Sequence, residues 1–313
     1  MLDGNGRRPV LLSLAGDSAS GKSTLSRGIE YVLGLERVGR VCTDDYHRYD
    51  RAERARLGVT PLAPDSNRMD LLTEHLRSLS AGLAVTKPTY DHQTGRFGLD
   101  ETVEPGEIVI VEGLLPLADR GVRDAIDVAV FLEPEEVLRR RWKLERDVFD
   151  RGYSATEVVA EMHRREADSE AFVRPQRGYA DIVVSFHRRA GATDDDHLSA
   201  QLTVRPTLPY PGLRELVGAL SAEGGAPIRW ARRTDGRGPM SLLDIDGDCP
   251  PELGGEIEDV LWSSLHPDDR LQRGRIGMVR TPGQGERRSE ALALTQLLIV
   301  THLVGALDGA SEL

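Results

Sequence analysis

Val10-Leu11-Leu12-Ser13-Leu14-Ala15 runs into Gly16-Asp17-Ser18-Ala19-Ser20-Gly21-Lys22-Ser23-Thr24, and a helix-forming stretch, Leu25 to Leu33, follows. The apolar run reads as a buried strand. A G-x-x-x-x-G-K-[ST] sequence between a strand and a helix is a phosphate-binding loop in its confirming context. Glycines let backbone N–H groups curl around phosphate oxygens, and the helix N-terminus adds positive potential. Lys22 is placed to neutralise β- and γ-phosphates, and the Ser23 hydroxyl to hold Mg²⁺. A chance match in a chain of this length is roughly a one-per-cent event, and rarer once both flanks are required. The expected ligand is a nucleoside triphosphate.

Working outward, the 313 residues allow one large α/β domain or two modest ones, and 39% apolar residues support a real core. A net charge of −11 argues against nonspecific nucleic-acid binding. Two cysteines, Cys42 and Cys249, make no disulfide framework and fit a reduced cytosol. Met1 to Arg8 holds no apolar signal-peptide core, and no unbroken apolar run of about 18 residues occurs. The expectation is therefore a cytoplasmic protein with neither membrane span nor nucleic-acid partner.

Arg37 to Thr43 reads as a second strand, and a charged segment, Arg48 to Arg56, follows it. Asp70 to Leu83 has helical spacing, and Lys87 to His92 is extended because Pro88 biases Lys87 away from helix. Glu107 to Gly113 is a β-branched run of the kind found in strands covered on both faces. Val128 to Leu132 is a further strand, leading into a helix opened by Pro134 and Glu135-Glu136. Strands alternating with helices predict a mostly parallel, doubly wound α/β sheet. After Asp181 to Phe186 the composition shifts. Residues 187 to 200, with Asp194-Asp195-Asp196-His197, read as a solvated linker, which divides the chain into a kinase-like region 1–189 and a smaller α+β region 190–313, with extension of the same sheet and a subunit contact both open for the latter. In that second region Gln201 to Arg205 and Ile228 to Ala231 look like strands, and Arg214 to Leu220 and Ser289 to Leu307 like helices. The last helix, with its apolar stretch Leu292 to Val304, is expected to pack on the core, a dimer interface being the other reading.

Three groups carry candidate chemistry. Asp44-Asp45-Tyr46-His47, with Arg51 beyond, sits at the C-terminal end of the second strand, where open α/β sheets hold ligands. A carboxylate there can accept the proton of an attacking hydroxyl, and a solvated turn explains it equally well. Glu112 follows four apolar residues, a costly place for an unpaired charge, and metal contact is the favoured reading. Lys143, Arg146, Asp147 and Arg151 fall on one side of the Pro134 helix, roughly opposite Leu138, Trp142 and Phe149. Basic groups around a carboxylate suit a site holding two phosphorylated ligands, although a surface stripe of ion pairs is the blander account. Tyr90 and His92 are open to the same doubt.

Taken together, these segments resemble the phosphoribulokinase/uridine kinase family. The resemblance spans about Val10 to Phe186. It rests on the loop 16–24, on Asp44-Asp45-Tyr46-His47 with Arg51, and on Lys87-Pro88-Thr89-Tyr90-Asp91-His92 with Thr94-Gly95. Glu112-Gly113-Leu114-Leu115-Pro116, Lys143-Leu144-Glu145-Arg146-Asp147 with Arg151-Gly152, and Arg174 to Asp181 complete it. The last two are the more specific, being similar to the plant, cyanobacterial and archaeal branch that acts on ribulose 5-phosphate. That resemblance implies a P-loop kinase, a homodimer using ATP and Mg²⁺, that phosphorylates the C1 hydroxyl of D-ribulose 5-phosphate. It implies Asp44 as catalytic base and Glu112 as the acidic residue of the metal site, alongside Ser23. Lys143, Arg146 and Asp147 would support phosphoryl transfer, and His47, Arg51, Tyr90, His92 and Arg151 would contact the sugar phosphate.

The sequence departs from the plant-type pattern at Ser20, where that type carries a redox cysteine inside the loop. Cys42 stands alone at the second position, so that switch is absent. Two other functions remain in view: a uridine/cytidine-type nucleoside kinase, which would not need Arg51 and Arg151, and a non-catalytic nucleotide sensor.

Overall fold

The computed structural model describes residues 8–189, 191, 197–207, 226–265, 271–281 and 285–309. The expected helix Arg214 to Leu220 and the acidic run Asp194-Asp195-Asp196 lie outside the described residues.

The strand–loop–helix reading holds. β1 (Val10–Gly16) is wholly buried, and α1 (Lys22–Leu33) starts within the phosphate-binding loop itself. β2 (Val38–Cys42), α2 (Arg51–Leu57), α3 (Met69–Ser80) and the short strands β3 (Val85–Lys87), β4 (Tyr90–Asp91), β5 (Arg96–Phe97) and β6 (Glu101–Val103) come next. The charged segment after β2 is thus a helix. Its start is fixed by Asp50 and Glu53, which bond each other's backbone N–H in a capping box. β7 (Ile108–Gly113), α4 (Arg120–Arg123), β8 (Val128–Leu132), α5 (Glu136–Phe149), α6 (Ala155–Asp168) and β9 (Ile182–His187) complete the first part.

Five of these strands pair in parallel in the order β9-β8-β1-β7-β2, with β1 central between β7 and β8. Both faces are covered, which accounts for the continuous apolar runs in β1, β7 and β8. β10 (Ser199–Val204), β11 (Ile228–Asp235) and β12 (Gly238–Ile245) then extend the same sheet antiparallel, giving eight strands in the order β11-β12-β10-β9-β8-β1-β7-β2. The segment read as a linker therefore holds the end of β9 and the start of β10.

α7 (Pro251–Ser264), a hairpin of β13 (Met278–Thr281) and β14 (Gly285–Arg288), and α8 (Glu290–Gly309) close the described chain. α8 runs for 20 residues at a mean hydropathy of 1.6, long and apolar enough on those two counts to cross a membrane. Its place in the fold is core: 83% of its apolar window is buried, against α1, α7 and the sheet.

Candidate active site

The loop 16–24 opens onto a cleft of about 1340 Å³ at the C-terminal ends of the parallel strands. Gly16 has φ +148°, and a Cβ there would stand 2.6 Å from the carbonyl oxygen of Leu132, so only glycine lets the loop leave β1 so close to β8. Ala19, at φ +63°, is the one non-glycine in the left-handed region among the described residues. Strain of that kind gathers where a loop is shaped for a ligand. Lys22 Nζ donates to the carbonyl oxygens of Gly16 and Asp17, each at 2.8 Å. Burial is the main reason its pKa falls to about 8, against the opposing pull of Asp44, Glu112 and Asp17.

α5 holds the loop from above. Arg139 Nη1 donates to the Ser18 carbonyl and Arg146 Nη2 to the Ser18 hydroxyl, both at 3.1 Å. Asp17 turns away from the cleft and accepts from Ser169 Oγ with both oxygens, at 2.8 and 2.7 Å.

Asp44 and Asp45 occupy one helical turn after β2, and they do different work. Asp45 is structural: it accepts from the Tyr90 backbone N–H at 2.8 Å and from Lys87 Nζ at 2.7 Å, tying β3 and β4 to the sheet. Asp44 lines the cleft, with His92 Nε2 3.4 Å away. Burial works against its charge, but His47, His92, Lys22 and Arg165 outweigh that and hold the carboxyl below the usual range. Burial also pushes the His47 and His92 rings down. At neutral pH the lasting positive partners of Asp44 are therefore Lys22 and Arg165.

His47 packs edge-on against Tyr90 (ring centres 4.9 Å apart) and bonds Asn67 Oδ1 through Nδ1 at 2.8 Å. Arg51 donates to the carbonyl oxygens of His92 and Gln93, so the two segments named in the sequence reading meet in space. Arg54, which that reading passed over, is buried and donates to the Tyr90 hydroxyl at 2.7 Å.

Asp147 gathers three cations: Lys143 Nζ at 2.6 Å, Arg146 Nη2 at 2.8 Å and Arg151 Nη1 at 3.3 Å. Three positive charges against one negative leave a local surplus of two. The side chains of Lys143 and Asp147 are only 5% and 6% exposed, which removes the surface-stripe account. Leu138, Trp142 and Phe149, which the spacing puts roughly opposite this cluster on the helix, line the same cleft as Lys143 and Asp147. Arg151 lies just beyond the end of α5, which stops at Phe149.

Glu112, near the end of β7, is likewise engaged. Arg40 Nη2 meets Oε1 at 3.0 Å, and Ser26 Oγ donates to Oε2 at 3.1 Å. Ser23 is exposed at the start of α1 and borders the cleft with Asp44 and Glu112. Among the described residues no group of three or more His, Cys, Asp or Glu forms a metal cage. A magnesium ion needs no such cage, since it keeps several waters and takes one or two carboxylates plus substrate phosphates. The oxygen donors present fit such an ion, in competition with Arg40.

Sequence reading also missed Arg165 on α6, whose charge acts on both Asp44 and Lys143. The signal was there: Ser154 and Glu157 form a capping box at the start of α6.

A P-loop at the end of the central strand of a doubly wound parallel sheet defines a P-loop kinase fold. A sequence model of the Phosphoribulokinase / Uridine kinase family matches residues 11–191, and the chain belongs to that family. It is 41% identical over 177 residues to a phosphoribulokinase of Synechocystis sp., covering 56% of this chain and 53% of that protein. A uridine kinase of Chloroflexus aggregans is 33% identical over 187 residues, covering 56% of this chain and 86% of the relative. The chain spans about half the length of the curated phosphoribulokinases it matches. Among solved structures, a phosphoribulokinase from Rhodobacter spheroides superposes with a TM-score of 0.53 at 17% identity, over 75% of this chain and 90% of that one, a likeness of fold.

Proposed function

We propose that the chain transfers the γ-phosphoryl group of ATP to the C1 hydroxyl of D-ribulose 5-phosphate, giving ribulose 1,5-bisphosphate and ADP. The observation that carries this reading is a second set of cations in the same cleft as Lys22: Arg151, whose Nη1 lies 3.3 Å from Asp147, and Arg51. A neutral nucleoside acceptor needs no such anchor, whereas a sugar phosphate gains charge-assisted bonds from it. Identity to phosphoribulokinases up to 41% supports the same choice over the nucleoside kinase.

In this mechanism the loop 16–24 holds the triphosphate, and Lys22 releases its two carbonyl partners to meet the β- and γ-oxygens. His47, Arg51, Tyr90, His92 and Arg151 seat the sugar phosphate so that its C1 hydroxyl lies beside Asp44. Asp44, ionised at neutral pH, accepts the hydroxyl proton as the oxygen attacks phosphorus and the bond to ADP breaks. Lys143 and Arg146, held by Asp147, stabilise negative charge on the phosphoryl oxygens in flight. Ser23 and Glu112 would hold Mg²⁺, whose chemistry is to draw charge from the phosphate oxygens.

We further propose a division near residue 189 into a kinase part and a C-terminal part that shares its sheet, and a cytoplasmic homodimer, which light scattering of the purified chain would measure. The chemistry is tested by ³¹P NMR of the chain mixed with Mg·ATP and ribulose 5-phosphate. Growth of a second phosphomonoester signal as ATP becomes ADP is expected. Unchanged ATP would overturn the proposal and leave the non-catalytic sensor.

A further inference from the structure

The cleft has an end that the phosphoryl-transfer residues do not use. In a P-loop the lysine reaches the β- and γ-phosphates, so the nucleoside leaves from the far side of the loop, past Thr24. That side is apolar. The Trp142 ring comes within 4.0 Å of where a Cβ on Gly21 would stand. Val279 and Leu292 line the same cleft and pack in one core cluster with Trp142.

Polar groups also border this end, Arg287 and His197 among them. Val279 and Arg287 are direct partners across the β13–β14 hairpin, so they share one face of it. Arg287 Nη2 lies 3.3 Å from His197 Nε2. A guanidinium only donates, so His197 accepts at Nε2 and carries its ring proton on Nδ1. The hairpin is tied to the loop through Gln296 of α8. Its Oε1 accepts from the Gly277 N–H at 2.7 Å, at the hairpin's root, while its Nε2 donates to the Thr24 carbonyl at 3.3 Å. His197, Val279, Arg287 and Leu292 all lie beyond residue 191, where the family match ends.

We propose that Trp142, Val279 and Leu292, with Arg287 and His197 at the rim, form the slot for the nucleotide's base, so that the C-terminal part of the chain sets nucleotide affinity. The ligand class is a purine nucleoside triphosphate: an aromatic, flat ring system with edge acceptors facing a guanidinium. The inference rests on the nucleotide reading of residues 16–24 and not on the identity of the phosphoryl acceptor.

Calorimetric titration of the full chain with ATP and, separately, with inorganic tripolyphosphate isolates the base, and no acceptor is present, so failure of the ribulose 5-phosphate reading leaves the result intact. Wild-type chain should bind ATP more tightly than tripolyphosphate. Trp142→Ala and Arg287→Ala should each weaken ATP by about tenfold, the scale of one base-stacking contact, and leave tripolyphosphate binding as it was. Retained tripolyphosphate binding also shows that each variant is folded. His197→Ala, on a separate element, should behave as Arg287→Ala does. Equal losses for both ligands, unchanged ATP binding in Arg287→Ala and His197→Ala, or no preference for ATP in the wild type would each overturn the slot.

Discussion

Adjacent carboxylates at 44 and 45 show what single residues can and cannot reveal in a sequence. Both sit at the strand end where a ligand is expected, but only the fold separates them, because Lys87 and the Tyr90 backbone claim Asp45. Asp44→Asn should therefore keep nucleotide binding and lose about 10²–10⁴-fold in turnover, measured as steady-state ADP release; near-normal turnover would remove Asp44 as the base. Lys22 carries a pH prediction. Its pKa of about 8 lies below the ordinary lysine value, so its charge is lost as pH climbs through that value. A bound triphosphate favours the charged form, so binding at pH 8.5 should take up protons and affinity should fall from pH 7 to 9. Titration in buffers of different ionisation enthalpy checks this, and the absence of proton uptake would contradict it. Asp147 has a structural part of its own, holding three cations together. Removing it as Asp147→Ala strands Lys143 in a nearly inaccessible site and should cost about 3–5 kcal/mol in urea unfolding. The residue types of the 143–151 cluster were legible from the sequence. Their burial was not, since helical spacing gives a direction around the axis and says nothing of what covers it.

Elements were legible where one local signal was strong and lost where the signal came from elsewhere in the chain. β1, β7 and β8 announce themselves because a strand buried on both faces must be apolar throughout. β12 and α7 do not, since β12 is mixed in character and only half-covered. α7 carries two glycines in its first turns, Gly254 and Gly255, which weaken its helical signature. The α1–α8 contact is a long-range feature of the same kind. Gly28 lies where α1 meets α8, and a Cβ there would fall 1.9 Å from Gln296 Nε2. Alanine would add about 1 kcal/mol of helix propensity, yet overpacking that contact costs about 1–3 kcal/mol and displaces Gln296 from the Thr24 carbonyl. Gly28→Ala should thus lower the melting temperature and weaken nucleotide binding together. A raised melting temperature would show that the contact is loose.

At the scale of the molecule, the chain is a family kinase core whose sheet continues into a region that the family match does not reach. Sequence reading found the core and its cleft, because the loop 16–24, Asp44 and Glu112 each sit at a parallel strand's C-terminal end, where this class of sheet holds ligands. It placed the rest behind a solvated linker and left extension of the same sheet as one of two readings, since antiparallel pairing between β9 and β10 depends on a register that composition does not encode. The central claim is that two cationic centres in one cleft serve two phosphorylated ligands. Initial rates of ADP formation from Mg·ATP with ribulose 5-phosphate, ribose 5-phosphate, uridine and cytidine test it most directly. The account predicts rapid turnover with ribulose 5-phosphate and little above background with the other three. Turnover with a nucleoside and none with ribulose 5-phosphate would contradict it, and would make the cluster around Asp147 a structural ion-pair network.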